Sequence, residues 1–334
     1  MASSHSVLVT GATGFVGSVL TRQLVDAGTD VRIFRRDTSS LDLLGTYAER
    51  VDHAVGDLRR ARSLYEAMQG VDRVYHVAAK VSFARGDRAA VRRVNADGTA
   101  HVVNAALKAG VDRLVHTSSI AALGRPPEPD GAIDETTEWQ GLPHRSAYAR
   151  SKRRAELEVH RGIAEGPEAT LVNPSLVFGV GGPETNTRRI VDAVRSGWLL
   201  AVPPGGTNGV DVRDVAARLR AAMQKGETGR RYFLGGENLS WRTLATTLAD
   251  EFGVAPPRYT IPPSLLRVGG MLAEGVAALT RTQPVLARTT ARTAARTYRY
   301  DNSRARAELG CTFRPFAETA RRVAAVLSGD APTP

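Results

Sequence analysis

The stretch Thr10-Gly11-Ala12-Thr13-Gly14-Phe15-Val16-Gly17 follows a short apolar run, Val7 to Thr10, and opens a segment whose apolar residues Val16, Leu20 and Leu24 recur at helical spacing. Few arrangements restrict a chain more. Glycines at GxxGxxG spacing allow a tight turn, let the backbone approach an anionic group closely and let the helix pack against the strand. The start of the helix adds unpaired N–H groups and a positive dipole end. The chain is therefore expected to begin with a strand-turn-helix unit whose turn is shaped for a pyrophosphate.

The rest of the first half repeats that unit. Strand-like runs at Asp30 to Phe34, Val51 to Val55, Arg73 to Val77, Arg113 to Thr117 and Ala169 to Val172 alternate with helical segments such as Val91, Val94, Val102, Leu107. Alternation of period 2 and period 3.6 predicts an α/β fold, a Rossmann-type doubly wound parallel sheet with right-handed crossovers. Residues 175–210 are rich in Gly and Pro and read as irregular structure leaving the sheet. Asp211 to Gln224 reads as a helix and Arg231 to Leu234 as a last strand, while Trp241 to Phe252, Ser264 to Leu279 and Phe316 to Leu327 read as further helices. The expected division is a nucleotide-binding domain of residues 1–174 plus 211–236 and a smaller, discontinuous C-terminal substrate lobe of 175–210 plus 237–330.

Composition narrows the setting. A lone cysteine, Cys311, cannot form an internal disulfide, and no apolar run is long enough to span a bilayer, so a soluble cytoplasmic protein is expected. The formal charge is +11, and 41 of the 45 basic residues are arginine. This charge is spread along the chain instead of gathered in a stripe or tail, which points to a phosphorylated small molecule and away from nucleic acid. Arg288, Arg292, Arg296 and Arg299 recur at near-helical spacing and read as a solvated helix face. No membrane partner and no metal site are expected.

Tyr148-Ala149-Arg150-Ser151-Lys152 carries the chemistry. Four residues apart on a helix, the phenol and the ammonium share a face, and a lysine charge there favours the phenolate and eases proton transfer. The run Val115-His116-Thr117-Ser118-Ser119 ends a strand at the edge of the sheet where ligands bind, and a serine hydroxyl there can hold a carbonyl oxygen. The second strand ends Arg35-Arg36-Asp37, where an acidic residue would accept a ribose 2′-hydroxyl. Two guanidiniums instead suit a 2′-phosphate, so NADP is expected over NAD.

These residues together resemble the extended short-chain dehydrogenase/reductases, the NAD(P)-dependent epimerase/dehydratase family. The look is closest to its dihydroflavonol-reductase-like and 3β-hydroxysteroid-dehydrogenase-like members, over Val7 to about Leu327. The resemblance implies Ser119, Tyr148 and Lys152 as catalytic residues, with Asn95 in an organising role. It implies a cofactor held by Gly11, Thr13, Gly14, Phe15, Val16 and Gly17 at the phosphates and by Arg35, Arg36, Asp57 and Leu58 toward the adenosine. Ala78, Ala79, Thr117, Tyr148, Lys152, Pro174 and Val177 would lie along the remainder. The implied reaction is hydride transfer between NADP(H) and an aldehyde, ketone or hydroxylated apolar compound. A homodimer is implied through about Asp87 to Ala109 and Ser146 to Glu165. Two other readings stand beside it: an NAD-dependent sugar-nucleotide epimerase using the same tyrosine, and a non-catalytic NADP-sensing protein. A 4,6-dehydratase is disfavoured because Ile120-Ala121 follows the serine where an Asp-Glu pair is needed.

Overall fold

The computed structural model describes residues 6–125, 131–140, 146–182, 185–266, 291 and 293–331. Seven strands, β1 (Val7–Thr10), β2 (Val31–Arg35), β3 (Asp52–Val55), β4 (Arg73–His76), β5 (Arg113–Thr117), β6 (Glu168–Pro174) and β7 (Arg231–Leu234), form one sheet in which neighbours are parallel throughout. Their spatial order is β7-β6-β5-β4-β1-β2-β3. The chain therefore reverses direction of build between β1 and β4, and a crevice opens there at the carboxyl ends of the strands.

Both faces of the inner strands are covered, so consecutive apolar residues such as Val7-Leu8-Val9 in β1 and Leu114-Val115 in β5 are all buried. In β1, Val7 and Val9 enter one core with Leu20, Leu24 and Leu219, while Leu8 between them enters the opposite core with Leu64, Val74 and Val102. The Val212–Lys225 helix lies along the Phe15–Asp26 helix and closes the first core. Asp211 caps its start by accepting from the Arg213 N–H at 2.7 Å, and the Thr319 hydroxyl donates to the same carboxylate at 2.9 Å.

The expectation of irregular structure over residues 175–210 is corrected. That stretch holds a strand at Leu176–Phe178, a helix at Asn186–Arg195, a short strand at Ala201–Val202 and a strand at Gly206–Asp211. Gly206–Asp211 pairs in parallel with Leu176–Phe178 and antiparallel with Glu237–Ser240. The glycines that suggested a break instead permit close backbone approach: a Cβ on Gly206 would meet the Leu239 carbonyl oxygen at 2.7 Å. Val191 and Val194 of the helix join Leu244, Leu248, Phe316 and Val323 in a separate apolar cluster.

Two helical expectations also change. Val91 to Leu107 is not one regular helix, because a π turn over Arg93–Asp97 separates Arg88–Arg92 from Gly98–Ala109. Arg296 and Arg299 do not share a helix face, since Arg299 lies in a strand at Arg299–Tyr300 beside Ala132–Ile133. The expected helix beyond Leu266, together with Arg288 and Arg292, lies outside the described residues. The Ser303–Leu309 helix returns to the main sheet, where Ala305, Leu309 and Cys311 join the first core. Among the described residues no helix is long and apolar enough to cross a membrane.

Candidate active site

A cavity of about 1940 Å³ occupies the crevice. Drug-sized ligands fill roughly 300–1,000 Å³, so this one has room for a dinucleotide and a second molecule. Gly11, Thr13, Gly14, Phe15, Val16, Gly17, Arg35, Arg36, Asp57, Leu58, Ala78, Ala79, Thr117, Ser119, Tyr148, Lys152, Pro174 and Val177 all line it. Of the residues singled out from the sequence, Asn95 alone stands behind the wall.

The glycine turn fits a pyrophosphate for reasons visible in its backbone. Gly11 has φ +76°, and a Cβ there would sit 2.6 Å from the Ala78 backbone, two residues beyond β4. A Cβ on Gly17 would be 2.0 Å from the Gly11 carbonyl oxygen. Gly14 caps the Phe15–Asp26 helix without a side-chain acceptor, and the first turn holds no acidic residue. The N–H groups and dipole at this end are thus left for an anion.

Beneath the turn runs a buried polar chain. The Thr10 hydroxyl meets His76 Nδ1 at 2.8 Å, His76 Nε2 meets the Thr99 hydroxyl at 2.9 Å, and Thr99 donates to the Asn95 carbonyl at 2.6 Å. Because Thr99 spends its proton on Asn95, His76 Nε2 carries the hydrogen and Nδ1 accepts from Thr10. Burial, aided by the Lys152 charge, pushes His76 down to about 3, so it is neutral at physiological pH.

The Asn95 amide, in the π turn, accepts from the Lys80 N–H at 2.7 Å and donates to the Lys80 carbonyl at 3.0 Å and to the Ser151 hydroxyl at 3.0 Å. It therefore clamps the loop after β4 to the Ala147–Glu165 helix that carries Tyr148 and Lys152. The bulge turns the amide inward, a use to which π turns are often put.

Ser146 starts that helix, its hydroxyl accepting from the Ala149 N–H at 3.0 Å. One turn in, Lys152 Nζ donates to the Thr117 carbonyl at 2.7 Å. The Tyr148 ring packs edge-on against Phe83, ring centroids 5.7 Å apart, and shares the cavity lining with Ser119, whose hydroxyl accepts from the Ala121 N–H at 3.1 Å. The sequence argument that a lysine charge would dominate the phenol is corrected here. Burial pushes Tyr148 up from its ordinary value, with the Ser119 side chain opposing, and so holds the phenol protonated. Burial also lowers Lys152 to about 8, Glu156 opposing.

Glu156 escaped the sequence reading. Four residues beyond Lys152 and fully buried, it accepts from Ser118 Oγ at 2.6 Å and Asn173 Nδ2 at 2.7 Å, and pairs with Arg231 at 3.1 Å and Arg153 at 3.3 Å. Asn173 Nδ2 also donates to the Ser119 carbonyl at 3.0 Å. The carboxylate thus ties the end of β5, through Ser118, to β6 and β7. Its sequence signal was a charge at an inward helical position, which needs a partner. Arg59 was missed too; its Nε donates to Asp57 at 3.0 Å and the guanidinium holds that carboxyl down at about 2. Among the described residues no group of three His, Cys, Asp or Glu side chains could hold a metal ion.

A profile of the NAD dependent epimerase/dehydratase family matches residues 7–235. Sterol demethylase protein B of Methylococcus capsulatus is 39% identical over 266 residues, covering 78% of this chain and 79% of that protein. Cinnamoyl-CoA reductase 1 of Oryza sativa subsp. japonica is 33% identical over 269 residues, covering 76% of each. The crystal structure of gox2253 superposes with a TM-score of 0.83 at 33% identity, covering 98% of this chain and 99% of that one.

Proposed function

The chain belongs to the NAD dependent epimerase/dehydratase family, the extended short-chain dehydrogenase/reductases, and from that premise we propose that it is an NADP(H)-dependent oxidoreductase of apolar aldehydes, ketones or the corresponding alcohols. The observation that carries the reading is the convergence of Ser119, Tyr148 and Lys152, the last two four residues apart on one helix, in the cavity that the glycine turn opens into. Gly11 to Gly17 would hold the phosphates, Arg35 and Arg36 the ribose phosphate, and Asp57 and Leu58 the adenosine. Ala78, Ala79, Thr117, Pro174 and Val177 would line the nicotinamide half. The two-part division, residues 1–174 plus 211–236 for cofactor and 175–210 plus 237–330 for substrate, belongs to this reading, as does a homodimer through about 87–109 and 146–165.

The nicotinamide, when bound, supplies or takes up a hydride. Ser119 holds the substrate oxygen by donating its hydroxyl proton, stabilising the charge that develops there. Tyr148, kept protonated by burial, gives its proton to that oxygen in the reductive direction. Lys152, charged below about pH 8, offsets the charge the phenol acquires. Phe83, Leu176, Ile190, Trp241 and Leu244 line the same cavity and favour an apolar substrate.

The test compares the parent with Tyr148→Phe on a panel of aldehydes and ketones, following NADPH oxidation. Loss of roughly 10²–10⁴-fold in turnover with NADP binding retained is expected. Sugar-nucleotide conversion without net cofactor change would favour the epimerase reading. Absence of activity in both proteins would favour a sensor.

A further inference from the structure

Among the arginines on the cavity wall that faces the adenosine end, Arg35 and Arg59 are in contrasting situations. Arg59 is held by the Asp57 carboxylate, bidentate and at 3.0 Å from Nε to either oxygen, so its charge is already compensated. Arg35 is held by no carboxylate among the described residues. Its Nε donates to His53 Nδ1 at 2.8 Å, and its Nη1 donates to the Arg36 carbonyl at 3.2 Å. The two differ in what they can still offer an anion.

His53 stands on β3, opposite Ile33 of β2, while Arg35 stands opposite Val55. Parallel register therefore makes Arg35 and His53 diagonal neighbours on one face of the sheet, within reach of long side chains. A guanidinium can only donate, so His53 Nδ1 must present its lone pair and the proton must sit on Nε2. That proton is used as well: Nε2 donates to the Ala48 carbonyl at 2.8 Å, on the turn Gly45–Arg50. A chain of two hydrogen bonds thus runs from the turn through a neutral imidazole to Arg35. Arg35 itself lines the cavity, and His53 lies behind it.

We propose that His53 is a positioning residue for cofactor selectivity, whose neutral acceptor aims the Arg35 guanidinium at the ribose 2′-phosphate without cancelling its charge. A free arginine side chain would have to surrender rotamer entropy to meet that phosphate. Held in advance, it surrenders less, and the gain falls on the phosphorylated nucleotide alone because NAD offers no group at that position. An acidic residue in place of His53 would orient the arginine equally well but would repel the phosphate. The inference rests on the NADP reading above, and its test separates the two.

Calorimetry on the full chain would measure NADP⁺ and NAD⁺ binding to the parent, His53→Leu and His53→Asn. The exposed histidine makes folding of the variants straightforward to retain. Loss of one charge-assisted hydrogen bond should weaken NADP⁺ binding by about tenfold in His53→Leu, with NAD⁺ within about twofold. The amide oxygen introduced by His53→Asn can stand near the Nδ1 position, so that variant should recover most of the NADP⁺ affinity. A parent that binds NAD⁺ as tightly as NADP⁺ would remove the underlying reading and this inference with it. A parent that prefers NADP⁺, with His53→Leu leaving that preference unchanged or weakening both nucleotides alike, would overturn the role of His53 alone.

Discussion

Replacing Glu156 by Gln tests whether the buried carboxylate supports the lysine it sits behind. Glu156 and Lys152 are one helical turn apart, about 6 Å between side chains. At an effective dielectric of about 20 that separation corresponds to ~2.8 kcal/mol, or about two pH units on the lysine as an upper bound. Lys152 is already down at about 8 because of burial, with Glu156 opposing the fall. Without the carboxylate its pKa should drop by a further ~1–2 units. On the proposed mechanism reductive turnover needs the ammonium, so the alkaline limb of the pH profile, expected near 8 in the parent, should move down by the same amount. Stability should respond with a different sign. The folded chain releases the Lys152 proton at about 8 and the unfolded chain only near about 10.4, so this group makes folding less favourable below that window, and stability rises with pH across it.

The substitution also has a structural cost. Gln can still accept from Ser118 and Asn173, but Arg231 and Arg153 lose their charge partner. Those arginines are 17% and 25% exposed, so the full penalty of a broken buried pair, roughly 3–5 kcal/mol, falls to about 2–4. Urea unfolding at pH 7 reads that term, and a pH series of turnover from about 6 to 10 reads the other. An unmoved alkaline limb together with a stability loss under about 1 kcal/mol would refute the reasoning.

Gly17→Ala should abolish dinucleotide binding by calorimetry, because its Cβ would stand 2.0 Å from the Gly11 carbonyl oxygen and the turn would have to open; retained affinity would contradict the cradle. Asn95→Ala removes the amide that joins Lys80 to Ser151 and should lower stability by about 2–3 kcal/mol in urea unfolding. It should also reduce turnover more than cofactor affinity, since it disturbs the helix that carries Tyr148 and Lys152 and leaves the glycine turn untouched.

How far the sequence could be read depended on how local each feature is. The run Val7-Leu8-Val9 followed by GxxGxxG announced a strand, a turn and a helix because each is set by backbone sterics within a few residues. Strands β1, β5 and β7 begin and end where apolar spacing put them. Tyr148 and Lys152 were legible as a pair because helical geometry alone brings four-residue neighbours together. Misreadings came where a local signal had a distant cause. Gly206 looked like a breaker, yet its missing side chain serves the approach of Leu239, and the π turn at Asn95 answers to a loop and a helix that the sequence does not show meeting it.

Spacing along the chain therefore determined the αβ alternation, the glycine turn and the placing of phenol and ammonium on one helix face, since backbone geometry fixes them without reference to the rest of the molecule. Tertiary structure decided the partners: Ser118 to Glu156 across 38 residues, Glu156 to Arg231, and Arg35 to His53 across 18. It also decided that the phenol keeps its proton, because the desolvation that raises it depends on everything packed around it. Burial and charge balance are sums over neighbours that only the folded chain assembles.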